Sequence, residues 1–286
     1  FIPCFNYGRF VRAAVDSALA QEEADVRIVI VNDGSTDGTS AAACDACIRL
    51  APDRIRVIHQ ANLGLPAARN RGVAACDTQT EFIAFLDADD WLEPWFVKDL
   101  AGAIRAEEGA GRGDDVSHAY GQQRMGELGE GRVWQVPDWD PVLLLITNLH
   151  PPTALIRRSA FDASGGFDES MRDGYEDWEF WIRLAERGRR GVRDRRPVYT
   201  WRRHSRETMI AGSLRKHEDI YRGIVAKHSA LFDAHADALI ARMNLMLRQQ
   251  DMNWLDESLE PIHLLGLKRQ RARYEAMRAV RIHHAL

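Results

Sequence analysis

The first hundred residues alternate between short apolar runs and segments with helical spacing. The runs VRIVIVND, IRVIHQ and EFIAFLD have strand composition, whereas RFVRAAVDSALAQ and the segment after NLGLP have the spacing of helices. Such alternation predicts a mostly parallel sheet with helices on both faces. Ligands bind such sheets beyond the carboxyl ends of the strands. Asp33 and the cluster Asp87–Asp90 follow predicted strands, so we expect them at one ligand-binding edge.

Composition excludes several classes of protein. The 286 residues carry a net charge of −4, which gives no sign of nucleic acid as a partner, and the chain contains no run of about 20 apolar residues that could span a membrane. Cys44 and Cys47 lie in a helix-like segment without a second metal-binding pair, so we expect core residues in a reducing, cytoplasmic protein. The opening FIPCFN is typical of the end of a strand whose start is missing.

After the first hundred residues the sequence pattern becomes less regular and then, toward the C-terminus, helical. After the predicted helix WLEPWFVKDLAGAIRAEE it becomes rich in glycine, which indicates surface loops. PTALIRRSAF then has the pattern of a strand, and EDWEFWIRLAERG that of an amphipathic helix ended by Gly188. From about Ile210 onward the pattern is helical. We therefore predict a helical C-terminal extension over residues 210–286.

The sequence FIAFLDADDWLEP places three carboxylates directly after a buried strand. Mg²⁺ and Mn²⁺ prefer carboxylate oxygens and keep water and phosphate oxygens in their shells. An Asp-x-Asp at a strand end can bind such an ion with one carboxylate while the other contacts a ribose or a metal-bound water. We assign this role to the pair Asp87 and Asp89 rather than that of solvated loop charges. For Asp90 we predict the N-cap of the next helix.

Two further residues suit a nucleotide, although each has a simpler interpretation. Asp33 can accept the N–H of a flat heterocycle such as the uracil imide, or it can stabilise the turn DGSTDGT. Arg69 and Arg71 open a helix after a loop, where a guanidinium matches two oxygens of a diphosphate. Alone they would be solvated surface residues. Beside a nucleotide pocket, the diphosphate role is favoured.

Five segments together resemble the family 2 glycosyltransferases. They are IPCFNYGRFVRAAVDSALAQ, IVIVNDGSTDGT, QANLGLPAARNRG, FIAFLDADDWLEP and GYEDWEFWIRL, in the order and approximate spacing of that family, over about residues 1–205. The resemblance implies the GT-A fold, an α/β architecture with a Rossmann-like, mostly parallel central sheet flanked by helices. It also implies a GT-A domain over 1–209, with a nucleotide-binding half at 1–100 and an acceptor-binding half at 101–209.

The resemblance implies roles for the residues of the nucleotide-binding half. Phe5 would pack its ring on the base, where Tyr is more frequent, and Pro3 precedes it in the same segment. Asp33 would contact the base, Arg69 would lie near the diphosphate, and Asp87 would lie near the ribose and the metal-bound waters.

The resemblance also implies the metal site and the catalytic groups. Asp89 would bind the divalent cation, and His204 resembles a C-terminal histidine near the diphosphate and metal; a histidine paired within a basic surface strand is the alternative. Asp177 takes the position of the catalytic base, with Glu176 in support. Because both lie at a predicted helix N-terminus, we expect the helix dipole to keep a carboxylate ionised at neutral pH.

The function implied is that of an inverting glycosyltransferase. It would use Mn²⁺ or Mg²⁺ to move a sugar from a nucleotide-diphosphate sugar, most simply a UDP-sugar, to a glycan or lipid-linked acceptor in cell-surface polysaccharide assembly. The alternative is a catalytically silent module that binds nucleotide-sugar, but such relatives lose the Asp-x-Asp or the base. The basic segment 266–286 could contact the inner face of the membrane or pack on protein.

Overall fold

A computed structural model describes residues 1–126, 131–202 and 209–249. Within these residues the strands vary from two residues to twelve. They are β1 Ile2–Cys4, β2 Ile28–Asp33, β3 Ile55–Gln60, β4 Phe82–Ala84, β5 Trp91–Leu92, β6 Val116–Met125, β7 Arg132–Trp134, β8 Leu155–Arg157 and β9 Arg190–Trp201.

Helices occupy most of the chain between these strands and all of the secondary structure described after residue 208. They are α1 Gly8–Leu19, α2 Ser40–Ile48, α3 Leu65–Ala74, α4 Phe96–Gly109, α5 Pro141–Ile146, α6 Arg158–Ser164, α7 Glu176–Glu186, α8 Met209–Arg215, α9 His217–Lys227, α10 Ser229–Ala234 and α11 Ala236–Gln249.

The N-terminal part is a parallel sheet, as the alternation of strands and helices predicts. Strand β2 lies between β1 and β3 and pairs in parallel with both. All six residues of β2 are buried, which explains its continuous apolar sequence, because a parallel strand is covered on both faces. The carboxyl ends of β1 and β2 therefore meet at the same edge.

Strand β4 joins this sheet to a second, mixed one. The Phe1 nitrogen donates to the Ala84 carbonyl at 2.7 Å, and the Leu86 N–H donates to the Phe1 carbonyl at 3.0 Å, which is the pattern of a parallel pair. On its other side β4 is antiparallel to β8, and the order continues through β6 and β9 to β5. The parallel arrangement thus gives way to antiparallel pairing at β8.

Two local predictions were wrong. The segment PTALIRRSAF forms a strand only at Leu155–Arg157 and then turns into α6. The helix expected directly after Asp90 starts at Phe96, because Trp91 and Leu92 first pair with β9 as the short strand β5. Asp90 therefore caps no helix.

The C-terminal helices pack into the core of the preceding part. Trp178 and Trp181 of α7 belong to the same buried apolar cluster as Tyr221 and Ile224 of α9 and Met243 of α11. The helices described after residue 208 therefore rest on the element that carries the proposed catalytic carboxylates. Cys44 and Cys47 belong to a separate apolar cluster, where they are buried free thiols, as predicted.

Candidate active site

The loop after β1 is fastened to the loop after β2 by Asn6. Its Oδ1 accepts hydrogen bonds from the N–H groups of Thr36 at 2.7 Å and Asp37 at 3.2 Å, and its N–H donates to Ser35 Oγ at 3.0 Å. Asn6 adopts φ 60°, a left-handed conformation that asparagine tolerates. The neighbouring Phe5 is 42% exposed, so a large apolar ring at this edge is open to a flat ligand.

Asp33 organises the loop that follows β3. Its Oδ1 accepts hydrogen bonds from Gln60 Nε2 at 2.7 Å and the Leu63 N–H at 2.9 Å, and its Oδ2 accepts one from the Gly64 N–H at 2.9 Å. The carboxylate is only 4% exposed. These hydrogen bonds join Asp33 to the loop after β3, a role that the sequence did not predict, and its contact with a nucleotide base stays a prediction. Pro3 lies one strand away, buried within β1 opposite Val31.

Arg69 links two carboxylates that are remote in sequence. Its Nη2 donates to Asp87 Oδ1 at 3.0 Å, and its Nη1 forms a very short contact with Glu176 Oε1. The Arg69 side chain is 1% exposed, and its Nε has no hydrogen-bond partner among the residues that the structure describes. Because both amino nitrogens already bind carboxylates, Arg69 fixes the two carboxylates to each other instead of facing solvent.

The aspartates after β4 have distinct environments. Asp87 and Asp89 are half-buried, whereas Asp90 is 4% exposed and its Oδ1 accepts a hydrogen bond from the Arg202 N–H at 2.9 Å. Burial raises the pKa of Asp90 well above its usual value, and the charges of Asp87 and Asp89 raise it further. Instead of capping a helix, Asp90 thus anchors the end of β9, where Arg202 Nε also donates to the Asp89 carbonyl at 2.9 Å.

Tyr199 is affected by the charges of both the aspartate cluster and Asp177, in agreement with the Arg69 bridge from Asp87 to Glu176. Burial raises the pKa of its phenol well above the usual value, and the negative charges of Asp90, Asp87, Asp177 and Asp89 raise it further. Tyr199 belongs to β9. This strand pairs with β5, which begins at Trp91, the residue after Asp90. The end of β4 and the start of α7 therefore face a common region of negative charge.

Glu176 and Asp177 form the first turn of α7, as predicted. Glu176 is buried and pairs with Arg69, while Asp177 is half-buried and accepts a hydrogen bond at Oδ2 from Asn148 Nδ2 at 2.9 Å. Burial and then the neighbouring charge of Glu176 raise the pKa of Asp177 from 3.8 to about 7. The expectation that the helix dipole keeps a carboxylate ionised at this helix start stays a prediction, and at Asp177 the loss of solvent opposes the dipole.

The residues just before Glu176 are attached to the C-terminal helices. Tyr175 adopts φ 63°, and its hydroxyl lies 3.1 Å from His217 Nδ1 of α9. Gly174 has φ 106°, and a Cβ at this position would lie 2.0 Å from Ser213 Oγ. The positive φ of Gly174 and the close approach of Ser213 leave no room for a side chain at this position. Helices α8 and α9 therefore contribute to the position of the start of α7.

The sequence also matches established families. Residues 1–165 match the sequence profile of Glycosyl transferase family 2, and residues 145–212 match that of Glycosyltransferase like family 2. The chain belongs to glycosyl transferase family 2. The family resemblance inferred from the five motifs is thereby confirmed.

Curated relatives of this family 2 chain match it over part of their length. "Uncharacterized glycosyltransferase alr2836" of Nostoc sp. is 46% identical over 93 residues, which cover 32% of this chain and 27% of the relative. "Minor teichoic acid biosynthesis protein GgaA" of Bacillus subtilis is 33% identical over 92 residues, which cover 31% of this chain and 20% of GgaA. The similarity therefore spans less than a third of either relative.

Solved structures show that the fold is GT-A. The structure of Staphylococcus aureus TarS residues 1–349 in complex with UDP-GlcNAc has a TM-score of 0.58 at 18% identity and covers 92% of this chain and 69% of that one. The mannosyltransferase PcManGT from Pyrobaculum calidifontis, in complex with GDP-Man and Mn²⁺, has a TM-score of 0.59 at 15% identity. The match covers 95% of this chain and 85% of PcManGT. The predicted fold class is confirmed.

The aspartate cluster suits a divalent cation that keeps other ligands. Among residues 1–126, 131–202 and 209–249, no three His, Cys, Asp or Glu side chains are grouped as a complete metal site. Burial and then the negative charges of Asp87 and Asp89 nevertheless raise the pKa of Asp90, and burial and then Asp89 raise that of Tyr7, so a cation here would relieve repulsion. A hard cation bound by one or two carboxylates plus phosphate oxygens fits this donor set. His204 lies outside the described residues.

Two residues of the site were not singled out from the sequence. Asn148 contacts Asp177 from the end of α5, and Arg202 contacts Asp89 and Asp90 from the end of β9. Arg202 lies two residues before His204 in YTWRRHSRETM, so its position gave a signal. Asn148 gave none, because a single asparagine after the apolar run PVLLLI fits any loop.

The search for membrane spans gives a limited result. In the part of the chain covered by the structure, none of the helices is both long and apolar enough to cross a bilayer. The basic segment 266–286, for which we considered contact with the membrane surface, lies outside the described residues.

Proposed function

We propose that this chain is an inverting glycosyltransferase that uses a nucleotide-diphosphate sugar. The observation that carries the proposal is the bridge of Arg69 between Asp87 and Glu176, because it joins the nucleotide-binding half to the carboxylates at the start of α7. Donor and acceptor chemistry would then meet in one cleft. Family membership and the GT-A fold support this proposal.

Asp177 is the proposed catalytic base. An acceptor hydroxyl attacks the anomeric carbon of the donor sugar, the bond to the diphosphate breaks, and Asp177 accepts the hydroxyl proton. A base works best when its pKa lies near the operating pH, and the pKa of Asp177 is about 7. Glu176 supports this reaction by pairing with Arg69, whereas no arginine among the described residues makes a direct contact with Asp177.

The remaining site residues would bind the donor. Phe5 would stack on the base and Asp33 would shape its pocket, with Pro3 behind them in β1. Asp87 would lie at the ribose, and the buried Arg69, which binds Asp87, would contribute its positive charge near the diphosphate from behind it. The partial exposure of Phe5 and the tight loop around Asp33 support this arrangement. Structures of other GT-A proteins contain UDP-GlcNAc or GDP-Man; we propose a UDP-sugar for this chain.

A divalent cation, Mn²⁺ or Mg²⁺, is the proposed cofactor. Asp89 would bind it, together with His204 and oxygens of the donor diphosphate. When bound, the ion supplies positive charge to the departing diphosphate. Asp89 is half-buried, so part of this residue is open to a ligand from solvent, whereas Asp90 is buried.

The proposed acceptor is a growing glycan or a lipid-linked glycan in cell-surface polysaccharide assembly. One curated relative is named for minor teichoic acid biosynthesis, which supports this class. We propose residues 1–209 as the glycosyltransferase domain, with 101–209 as its acceptor-binding half and 210–286 as the helical extension. We further propose a cytoplasmic location, with contact to the inner membrane face through the six Lys and Arg of residues 266–286.

Release of nucleoside diphosphate tests the proposal without knowledge of the acceptor. The protein is incubated with UDP- and GDP-sugars and Mn²⁺ or Mg²⁺, with EDTA added in a parallel series. We expect slow hydrolysis of one UDP-sugar that EDTA abolishes. Asp89→Asn should lose the metal-dependent part of donor binding in calorimetry, whereas Asp25→Asn, on the surface before β2, should bind normally.

Other outcomes separate the alternatives. Tight donor binding without any turnover, also in the presence of glycan and lipid-linked acceptors, would favour the catalytically silent module. Turnover that is unaffected by EDTA would contradict the proposed metal dependence. For the membrane contact, anionic vesicles should float the full chain and not a chain lacking 266–286; equal flotation of both would contradict it.

A further inference from the structure

Asn148 makes a direct contact with the proposed base through one end of its amide, while the other end has no hydrogen-bond partner among the described residues. Asn148 Nδ2 donates to Asp177 Oδ2 at 2.9 Å. Its Oδ1 is buried and accepts no hydrogen bond from any residue in the described part of the chain. Burial of an amide oxygen without a partner costs stability, so such a group calls for an explanation. The other Asp177 oxygen, Oδ1, accepts the Trp178 N–H at 2.8 Å.

The segment that carries Asn148 is fixed from its N-terminal side. Helix α5 begins at Pro141 and is capped by Asp140, whose Oδ1 accepts the Val142 and Leu143 N–H groups at 2.9 Å each. The carbonyls at the other end of the helix also have partners. The Leu144 carbonyl accepts a hydrogen bond from Trp178 Nε1 at 2.6 Å, and the Leu145 carbonyl accepts one from the Tyr221 hydroxyl at 2.7 Å.

The segment is fixed from its C-terminal side by His150. This imidazole is 3% exposed, and its ring stacks on Tyr120 with 4.0 Å between centroids and 11° between planes. Its Nε2 lies 3.0 Å from His118 Nε2, and Trp181 packs 4.5 Å away. Asn148 therefore projects from a short rigid segment between a capped helix and an aromatic cluster, which is how a precisely oriented group is supported.

The other charged groups around Asp177 do not duplicate this contact. Glu176, its neighbour on α7, raises the pKa of Asp177, and Arg69 of α3 lowers it through its charge without a hydrogen bond to it. Arg69 binds Asp87 and Glu176 instead. The nearby Tyr199 of β9 donates its hydroxyl to Gln123. Asn148 is thus the side chain that hydrogen-bonds Asp177 in the described part of the site.

We propose that Asn148 is a positioning residue of the reaction, which orients the Asp177 carboxylate and stabilises its ionised form until the acceptor proton arrives. The inference rests on the proposed function of Asp177 as the base. An amide suits this task because it carries a donor and an acceptor. Nδ2 binds the carboxylate before proton transfer. After transfer the Asp177 carboxyl carries O–H, and rotation of the Asn148 amide by half a turn presents Oδ1 as its acceptor.

The proposal is tested by titration of Asp177 itself, which requires no donor or acceptor. Carboxyl ¹³C chemical shifts are followed from pH 4 to 9 in protein labelled at aspartate, with the Asp177 signal assigned by its loss in Asp177→Asn. We expect a midpoint near 7 in the wild type. In Asn148→Ala the midpoint should rise by about one pH unit, the usual scale of a hydrogen bond to a charged group.

Two further variants control for a structural effect. Asn148→Asp keeps the size of the side chain but places a second carboxylate beside Asp177, so the midpoint should rise more than in Asn148→Ala. Arg242→Ala removes the 2.8 Å ion pair to Asp140 at the opposite end of α5 and should leave the midpoint unchanged. An unchanged midpoint in both Asn148 variants, or an equal rise in Arg242→Ala, would overturn the proposal.

Turnover separates this inference from the proposed function. With UDP-GlcNAc and with GDP-mannose, each with Mn²⁺, Asn148→Ala should lower kcat at pH 7 about fivefold, because the one-unit shift reduces the ionised fraction of Asp177 from about one half to about one tenth, and it should leave the donor KM unchanged. Near-normal hydrolysis by Asp177→Asn would overturn the role of Asp177 as the base, whatever the midpoints show. Inactive Asp177→Asn together with unshifted Asn148 variants would overturn the positioning role alone.

Discussion

Arg69 and Glu176 are separated by 107 positions in the sequence, yet their side chains form an ion pair in which the arginine is 1% exposed and the glutamate 5%. Arg69 belongs to α3 of the nucleotide-binding half, and Glu176 is the first residue of α7. A second bond from Arg69 to Asp87 extends the contact to the end of β4. The two proposed halves of the site are therefore held together by one buried guanidinium.

Removal of Arg69 should destabilise the protein. Arg69→Met leaves the buried Glu176 without its partner, and loss of one partner of a buried pair costs about 3–5 kcal/mol. Arg12→Met is the matched control, because Arg12 pairs with Asp16 on the surface, with 62% and 50% of the side chains exposed. Such exposed pairs contribute about 0–1 kcal/mol. The free energies of unfolding are measured in urea.

The double variant Arg69→Met with Glu176→Gln completes this experiment. It removes the isolated charge, so we expect part of the lost stability to return, because the two effects are coupled. If Arg69→Met unfolds at the same urea concentration as Arg12→Met, the ion pair does not stabilise the fold and the structural link between the halves is contradicted.

The sequence predicted the features that depend on neighbouring residues and missed those that depend on contacts between distant segments. The parallel strands, the helix at Glu176 and the aspartates at strand ends follow from local periodicity and strand order, which the sequence displays directly. The pairing of Arg69 with Glu176 depends on two segments 107 positions apart, and no local pattern encodes it. The arginine was thus expected near a diphosphate, and its carboxylate partners were missed.

Asp90 illustrates how a local rule fails. An aspartate before a helix-like segment predicts an N-cap, but Trp91 pairs with Thr200 and Leu92 pairs with Tyr199 of β9. This long-range pairing inserts a short strand and delays the helix to Phe96. Tertiary contacts overrode the local preference. The same holds for Asp177, whose burial depends on neighbours that the sequence alone does not identify.

The pH dependence of turnover should follow the ionisation of Asp177. A general base acts only when it is deprotonated, so kcat/KM should rise with pH and reach half its maximum near the Asp177 pKa of about 7. Asp177→Asn should lower turnover by ~10²–10⁴ and remove this rise. Asp173→Asn, four residues upstream with a 59% exposed side chain, is the control and should keep the profile. A flat profile in the wild type would contradict this assignment.

The same ionisation should appear in the stability of the folded protein. The folded state binds the Asp177 proton more tightly than the unfolded state, since its pKa is about 7 instead of 3.8. The stability that this proton contributes is present below pH 3.8 and is lost as the pH rises to about 7. Asp177→Asn has no such loss. Its melting temperature relative to wild type should therefore be higher at pH 8 than at pH 4.5.

Solvent around the half-buried Asp177 reduces the expected change in the free energy of unfolding between the two pH values. A shift of about three pKa units corresponds to about 4 kcal/mol. Because Asp177 is half-buried, we expect about 1–3 kcal/mol between the two pH values. Asp173→Asn again provides the control, with a small and constant difference from wild type. A difference for Asp177→Asn that stays constant between pH 4.5 and 8 would show that Asp177 titrates as an ordinary surface carboxylate.

Phe5 should contribute to nucleotide binding without contributing much to the fold. Its ring is 42% exposed and follows β1 at the edge where Asp33 lies, so Phe5→Ala removes little buried surface. Stacking of a base on an aromatic ring contributes about 1–3 kcal/mol, and its loss should raise the Kd for UDP, measured by calorimetry with Mn²⁺, roughly 5- to 150-fold. Phe5→Tyr keeps the ring and should bind normally. Leu245→Ala, a 44% exposed side chain on α11, is the control for loss of a surface apolar group. Equal affinities of the Phe5→Ala and Leu245→Ala variants for UDP would place the base elsewhere.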